Sequence, residues 1–256
     1  MKIVILAGGF GTRLAEETEV KPKPMIDIGE QPILWHIMKY YASYGFKEFV
    51  IALGYKGNVI KRYFLEQVTM QGDLSIGMGT GSVTARNRLQ EDWVVHLVDT
   101  GLESSTGGRI GRVRDYLNDE TFMFTYGDGV SNVNLNALLD LHKRCGRIVT
   151  LTAVRPPARF GGLIFDGDLI AQFTEKPQIG EGWINGGFMV MEPKVLDYIS
   201  SDETNLEVDV LEQLAREHQL AAYRHPDFWQ CMDTLRDKRQ LESAWKEGKA
   251  PWRRWA

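Results

Sequence analysis

Along the first 150 residues the hydrophobic positions fall into short unbroken runs, separated by stretches where they recur every three or four places. The unbroken runs Ile3–Ala7, Glu48–Leu53, Val94–Val98, Thr121–Tyr126 and Ile148–Val154 predict strands buried on both faces. The periodic stretches predict helices over Ile33–Tyr44, Asn58–Glu66, Arg109–Leu117 and Leu135–Arg144, with Gly45 and Gly146 as stop signals. Alternation of strand and helix implies right-handed crossovers and a mostly parallel α/β sheet flanked by helices. The second half is patterned differently. Short strands Leu163–Phe165, Leu169–Phe173 and Gly187–Met191 are punctuated by turn residues such as Asp166-Gly167-Asp168, and helices are expected at Pro193–Ser200, Glu207–Glu217 and Thr234–Glu247. This reads as a small, partly antiparallel extension of the first sheet. No repeat, low-complexity tract or Pro/Ser-rich linker interrupts the pattern, so one domain is expected, with halves 1–150 and 151–256.

Composition excludes several classes of function. Hydrophobic residues make up 43% and charged residues 25%, as in an ordinary globular protein. A net charge of -4 argues against general nucleic-acid binding, so any affinity for phosphate has to come from a local basic cluster. No apolar run reaches the roughly 18 residues of a membrane span, and the first strand is too short for a signal-peptide core. Cytoplasm is the expected address. Cys145 and Cys231 match neither a zinc spacing nor a disulfide framework and are expected to be free thiols in a reducing compartment. His36, His96, His142, His218 and His225 show no metal-ligand spacing. No Gly-x-Ser-x-Gly elbow or Cys–His signature supports covalent acyl chemistry.

Candidate chemistry starts where the first strand breaks into Gly8-Gly9-Phe10-Gly11-Thr12-Arg13. Without Cβ atoms, the backbone N–H groups of Gly8, Gly9 and Gly11 can approach a ligand and form a concave anion site. Arg13 adds a planar fork of donors suited to phosphate oxygens. Two familiar cradles are excluded. A P-loop lacks its Gly-Lys-Ser/Thr, and the dinucleotide fingerprint fails because Leu14 stands where a third Gly or Ala is needed. A tight turn without ligand remains the alternative.

Other segments supply charge. Gly127-Asp128-Gly129 ends a strand with an uncrowded carboxylate that suits Mg²⁺, although Asp-Gly is also a common turn. Asp233 is a second candidate carboxylate, or else the cap of the helix beginning near Thr234. In Lys21-Pro22-Lys23-Pro24 each proline stiffens the lysine before it, which suits phosphate binding or a solvated linker. Glu175-Lys176-Pro177 repeats the Lys-Pro pattern, and Asn185-Gly186-Gly187 offers groups for hydroxyl recognition. Gly107-Gly108-Arg109 reads as a further Gly-rich turn opening a helix, a base or phosphate contact. The tail Trp252–Trp255 is expected to pack on the body or on a neighbouring subunit.

Assembled, these motifs resemble the sugar nucleotidyltransferase superfamily, whose signature G-G-x-G-T-R-L followed by K-P-K-P stands here as Gly8–Leu14 and Lys21–Pro24. Narrower segments resemble its glucose-1-phosphate cytidylyltransferase branch: ILWHIM (Ile33–Met38), VDTG (Val98–Gly101), TGGR (Thr106–Arg109), FTYGDGV (Phe124–Val130), RFGG (Arg159–Gly162), INGGF (Ile184–Phe188) and MDTLRDK (Met232–Lys238). Three departures stand out: Cys231 where that branch usually has proline, a poor match over Gln67–Arg88, and Leu206 in place of a tryptophan. The resemblance implies a Rossmann-like, mostly parallel sheet of the nucleotide-diphospho-sugar transferase type. It also implies Mg²⁺ as cofactor, CTP and glucose 1-phosphate as substrates, no nucleic-acid or membrane partner, and assembly into a homo-oligomer. Arg13, Lys23 and Asp128 would be catalytic, and Asp128 and Asp233 would hold the metal. Leu6, Ala7, Gly8, Gly9, Phe10, Gly11, Thr12, Arg13, Lys23, Ser104, Arg109 and Gly127 would bind the nucleotide. Glu175, Lys176, Asn185 and Gly186 would bind the sugar phosphate. Alternatives are the same chemistry with UTP, dTTP or another hexose 1-phosphate, and a non-catalytic nucleotide-sugar sensor.

Overall fold

The computed structural model describes every residue except 12, 13, 15–17, 71, 87–90, 157–161, 167, 168, 175–181 and 256. The first strands are β1 (Lys2–Ala7), β2 (Asp27–Ile28), β3 (Gln31–Pro32), β4 (Glu48–Leu53), β5 (Asp73–Gly77), β6 (Ser82–Arg86), β7 (Val94–Asp99), β8 (Phe122–Tyr126) and β9 (Gly129–Ser131). They are followed by β10 (Val149–Val154), β11 (Gly162–Asp166), β12 (Leu169–Thr174), β13 (Ile184–Met191), β14 (Leu220–His225) and β15 (Trp229–Cys231). The α-helices are α1 (Ile33–Ala42), α2 (Gly57–Thr69), α3 (Thr106–Arg112), α4 (Leu135–Cys145), α5 (Glu212–Arg216) and α6 (Leu235–Lys246).

A seven-stranded sheet in the order β14-β10-β13-β8-β1-β4-β7 forms the frame. Its neighbours pair in parallel, except that β13 runs antiparallel to both β8 and β10. The expected α/β class is borne out. The antiparallel element lies inside the sheet rather than as an extension, because β13 carries an apolar run, Phe188 to Met191, that is buried throughout. Strand β1 shows why the runs are unbroken. Ile3 and Ile5 face a core shared with α1, α4 and α6, while Val4 faces a second core with Val50, Ile110, Phe124 and Leu206.

Several elements differ from expectation. The helix expected at Arg109–Leu117 begins earlier, at Thr106, and gives way to a 3-10 turn at Arg114–Tyr116. Pro193–Ser200 is a 3-10 helix over Pro193–Tyr198, and Glu207–Glu217 is a π-helical turn, Leu206–Leu211, that runs into α5. The segments expected as short strands, Leu163–Phe165 and Leu169–Phe173, form a separate hairpin, β11 with β12. Edge strand β14 escapes sequence reading because its apolar stretch, Leu220–Tyr223, is short, only partly buried, and followed by Arg224 and His225. Trp252 is wholly buried, stacked 5.5 Å from Phe228, so this end of the tail packs on the body.

Candidate active site

In a parallel sheet the space beyond the carboxyl ends of the strands is the place where loops can gather around a ligand. Here the ends of β1 and β8, together with the loop after β7, enclose a cleft of roughly 520 Å³, within the usual size range for a small-molecule site. Leu6, Ala7, Gly8, Gly9, Phe10 and Gly11 form one wall, Ser104 and Arg109 another, and Lys23, Gly127, Asp128 and Asp233 the floor. Asn185 and Gly186 line a smaller adjoining cavity that shares Tyr126 and Asp128 with the main cleft. Thr12, Arg13, Glu175 and Lys176 lie outside the described residues. Pro24, Thr106, Tyr126 and Asn205 also line the cleft and are missed from sequence. Tyr126 had a usable signal, since it ends the strand directly before Gly127-Asp128.

The floor is an ionic triad. Lys23 begins a 3-10 turn, Lys23–Met25, whose Pro24 and Met25 are buried and so anchor it. Its ammonium donates to Asp128 Oδ2 and to Asp233 Oδ1, both at 2.6 Å, with only 11% of the side chain exposed. Burial works against the charged ammonium, but the attraction of Asp128 and the hydrogen bonds to both carboxylates outweigh it and raise the Lys23 pKa. The neighbouring Lys21 instead pairs with Asp27 at 2.6 Å on the surface. Capping does not claim Asp233. Thr234 is the N-cap of α6 and forms a reciprocal capping box with Asp237, which leaves the Asp233 carboxylate to face Lys23. Cys231 donates to Asp233 Oδ2 at 3.4 Å. Burial and the adjacent carboxylates push its thiol up to about 12, so it stays protonated and is a poor nucleophile near neutrality.

Arg109 holds the upper loops together. Its guanidinium donates to the carbonyls of Leu53 (3.2 Å), Gly101 (2.7 Å) and Leu102 (2.9 Å) and to the Thr100 hydroxyl (2.9 Å). Burial lowers its pKa from the ordinary arginine range. Gly8 and Gly54 pack directly on this guanidinium, and a Cβ at either would collide with it. Gly107 and Gly108 are not an exposed turn. They lie inside α3 and press against the Asp202 and Thr204 carbonyls, which is why no side chain stands there.

Among the described residues no cluster of three or more His, Cys, Asp or Glu side chains gathers as a metal site. The floor therefore offers two hard carboxylates, Asp128 and Asp233, that already share one cation, the Lys23 ammonium. That donor set fits a divalent ion completed by a ligand's phosphate oxygens and by water.

Residues 2–246 match the nucleotidyl transferase family. A glucose-1-phosphate cytidylyltransferase of Salmonella typhi is 51% identical over 256 residues, covering 100% of both chains. A protein of Bacillus subtilis (strain 168), named a probable glucose-1-phosphate cytidylyltransferase, is 42% identical over 256 residues, again 100% of both. Among solved structures, HddC from Yersinia pseudotuberculosis complexed with GMP-PN has a TM-score of 0.69 over 95% of this chain and 99% of that one; at 21% identity this bears on the fold alone. The chain belongs to the nucleotidyl transferase family and, within it, to the group of the glucose-1-phosphate cytidylyltransferases.

Proposed function

We propose that the protein joins CTP and glucose 1-phosphate to give CDP-glucose and pyrophosphate. The carrying observation is the Lys23 ammonium set between two carboxylates from distant segments, lining one cleft with Gly8, Gly9, Phe10 and Gly11. The choice of cytosine and glucose is supported by the full-length 51% identity to the Salmonella enzyme. A phosphate oxygen of glucose 1-phosphate attacks the α-phosphorus of CTP in line. The new P–O bond forms as the bond to the β-phosphate bridge breaks, and the electron pair leaves with pyrophosphate. No enzyme nucleophile is needed, and positioning and charge neutralisation supply the rate.

Leu6, Ala7 and Gly8–Thr12 cradle the nucleotide through backbone groups, with Ser104, Arg109 and Gly127 completing the nucleotide side of the cleft. Lys23 and Arg13 neutralise charge on the α-phosphate and on the leaving pyrophosphate. Glu175, Lys176, Asn185 and Gly186 take the sugar phosphate. Asp128 and Asp233 would hold Mg²⁺, which would supply further charge neutralisation at the triphosphate. Copies of the chain associate; support comes from the β5–β6 hairpin, where Leu74, Ile76 and Val83 share one exposed apolar face that two strands alone cannot bury. Asp128→Asn and Asp233→Asn should each lower pyrophosphate release by at least about 100-fold, the usual scale for losing one electrostatic contact to a transition state. Circular dichroism and the unfolding midpoint should show the fold retained, and near-wild-type turnover in either variant contradicts the assignment.

A further inference from the structure

Lys56 breaks two local preferences at once. It stands immediately before α2, where Ser, Thr, Asp or Asn would cap the helix, and its side chain makes no cap hydrogen bond. Its backbone is left-handed, with φ at 50°, a conformation that is costly for a residue with a Cβ and that glycine adopts freely. The ammonium reaches instead to the chain that follows the glycine-rich loop. It donates to the Thr18 carbonyl at 3.1 Å and to the Glu19 carbonyl, and lies 5.0 Å from the centre of the Tyr55 ring. Thr18 is buried and passes the contact on. Its hydroxyl sits 3.2 Å from the Gly11 carbonyl and 3.0 Å from the Leu14 carbonyl, and its methyl packs so closely that a Cβ on Gly11 would collide with it. Gly8 is held from the same side, because the Tyr55 N–H donates to its carbonyl at 3.1 Å. Between the two, the Phe10 ring lies 5.3 Å from the Tyr55 ring. The wall of the cleft from Gly8 to Gly11 therefore rests on Tyr55-Lys56 at both ends: at Gly8 through the main chain, and at Gly11 through Lys56 and Thr18.

We infer that Lys56 is a positioning residue for the nucleotide: by tying down Thr18 it sets the Gly8–Gly11 wall in place before a triphosphate arrives, so that binding does not have to order it. This rests on the proposed role of that wall as the nucleotide side of the cleft. Lys56 and Thr18 are not among the residues lining the cleft, so the effect passes through Gly11. Arginine offers several donors to the two carbonyls and should substitute well, whereas methionine keeps the stem and loses the tether. Glycine loses the tether but relieves the left-handed backbone.

The test is CTP binding by titration calorimetry and steady-state kinetics for K56M, K56R, K56G, T18A and K56M/T18A, alongside thermal unfolding. K56M and T18A should each weaken CTP binding and raise its KM about tenfold or more, the scale of a hydrogen bond from a charged donor, and leave the KM for glucose 1-phosphate within about threefold. K56R should stay within about threefold of wild type, and the double variant should be no worse than the poorer single one. K56G should unfold at or above the midpoint of K56M yet bind CTP as weakly as K56M does. A merely structural role makes CTP affinity recover together with that midpoint. The inference is overturned by unchanged CTP affinity in K56M and T18A, by K56R as weak as K56M, by restored affinity in K56G, or by multiplying effects in the double variant. Should K56M fail to fold, K56G and T18A carry the same expectation. If wild type binds a triphosphate but forms no CDP-glucose, the functional reading fails, and affinity for that triphosphate still decides the role of Lys56. A wild type that binds no triphosphate overturns both.

Discussion

Lys23 shows how one side chain holds two carboxylates together in the floor of the cleft, the place proposed for phosphate. Two carboxylates this close would repel each other strongly if left unpaired in a partly buried floor, and the ammonium between them removes that cost. Among the five histidines, His36 carries the clearest consequence. It is fully buried, its Nε2 donates to the Ile28 carbonyl at 2.9 Å, and its Nδ1 faces the Trp252 indole N–H at 3.4 Å. Burial lowers its pKa from 6.5 to about 4. The unfolded chain therefore binds a proton at His36 below about pH 6.5 that the folded chain refuses until about pH 4. Stability rises with pH across that window and is lost as pH falls through it, by up to about 3 kcal/mol. Urea midpoints measured between pH 7 and 4 should fall more steeply for wild type than for His36→Gln; equal slopes contradict the reading.

At the scale of elements, legibility follows burial. Strands β1, β4 and β8 are buried on both faces, so each appears as an unbroken apolar run within about a residue of its true ends. Helices with local caps are equally plain: α4 starts at Asn134, whose side chain accepts from the Ala137 N–H, and stops at a left-handed Gly146. Elements whose form depends on distant partners are not readable. The π-helical turn is shaped by contacts with α3, and edge strand β14 exists only through its pairing with β10. The candidate site divides in the same way. Its backbone loop and Lys-Pro turn are local patterns, whereas the meeting of Lys23 with Asp128 and Asp233 needs the chain folded, and no local pattern links Lys56 to Thr18. The β5–β6 hairpin carries its own prediction. Replacing Ile76 and Val83 by Glu should reduce the mass measured by light scattering toward that of one chain, and an unchanged mass contradicts the proposed association.

For the whole molecule, the sheet brings every described nucleotide-side candidate to one rim and sets the Asn185 cavity beside it. With an overall charge of -4, the proposed phosphate affinity has to come from a few local groups and backbone N–H donors. The proposed phosphate contacts, backbone donors and a lysine, would hold any triphosphate, so the choice of base and sugar is the sharpest part of the proposed function to test. The decisive measurement is pyrophosphate release, with product identification, for CTP, UTP, dTTP, ATP and GTP, each paired with glucose 1-phosphate and other hexose 1-phosphates. CTP with glucose 1-phosphate should give CDP-glucose with a kcat/KM at least about tenfold above any other pair, a margin of about 1.4 kcal/mol in transition-state binding. Preference for another triphosphate or sugar, or thermal stabilisation by CTP with no product from any pair, would contradict it.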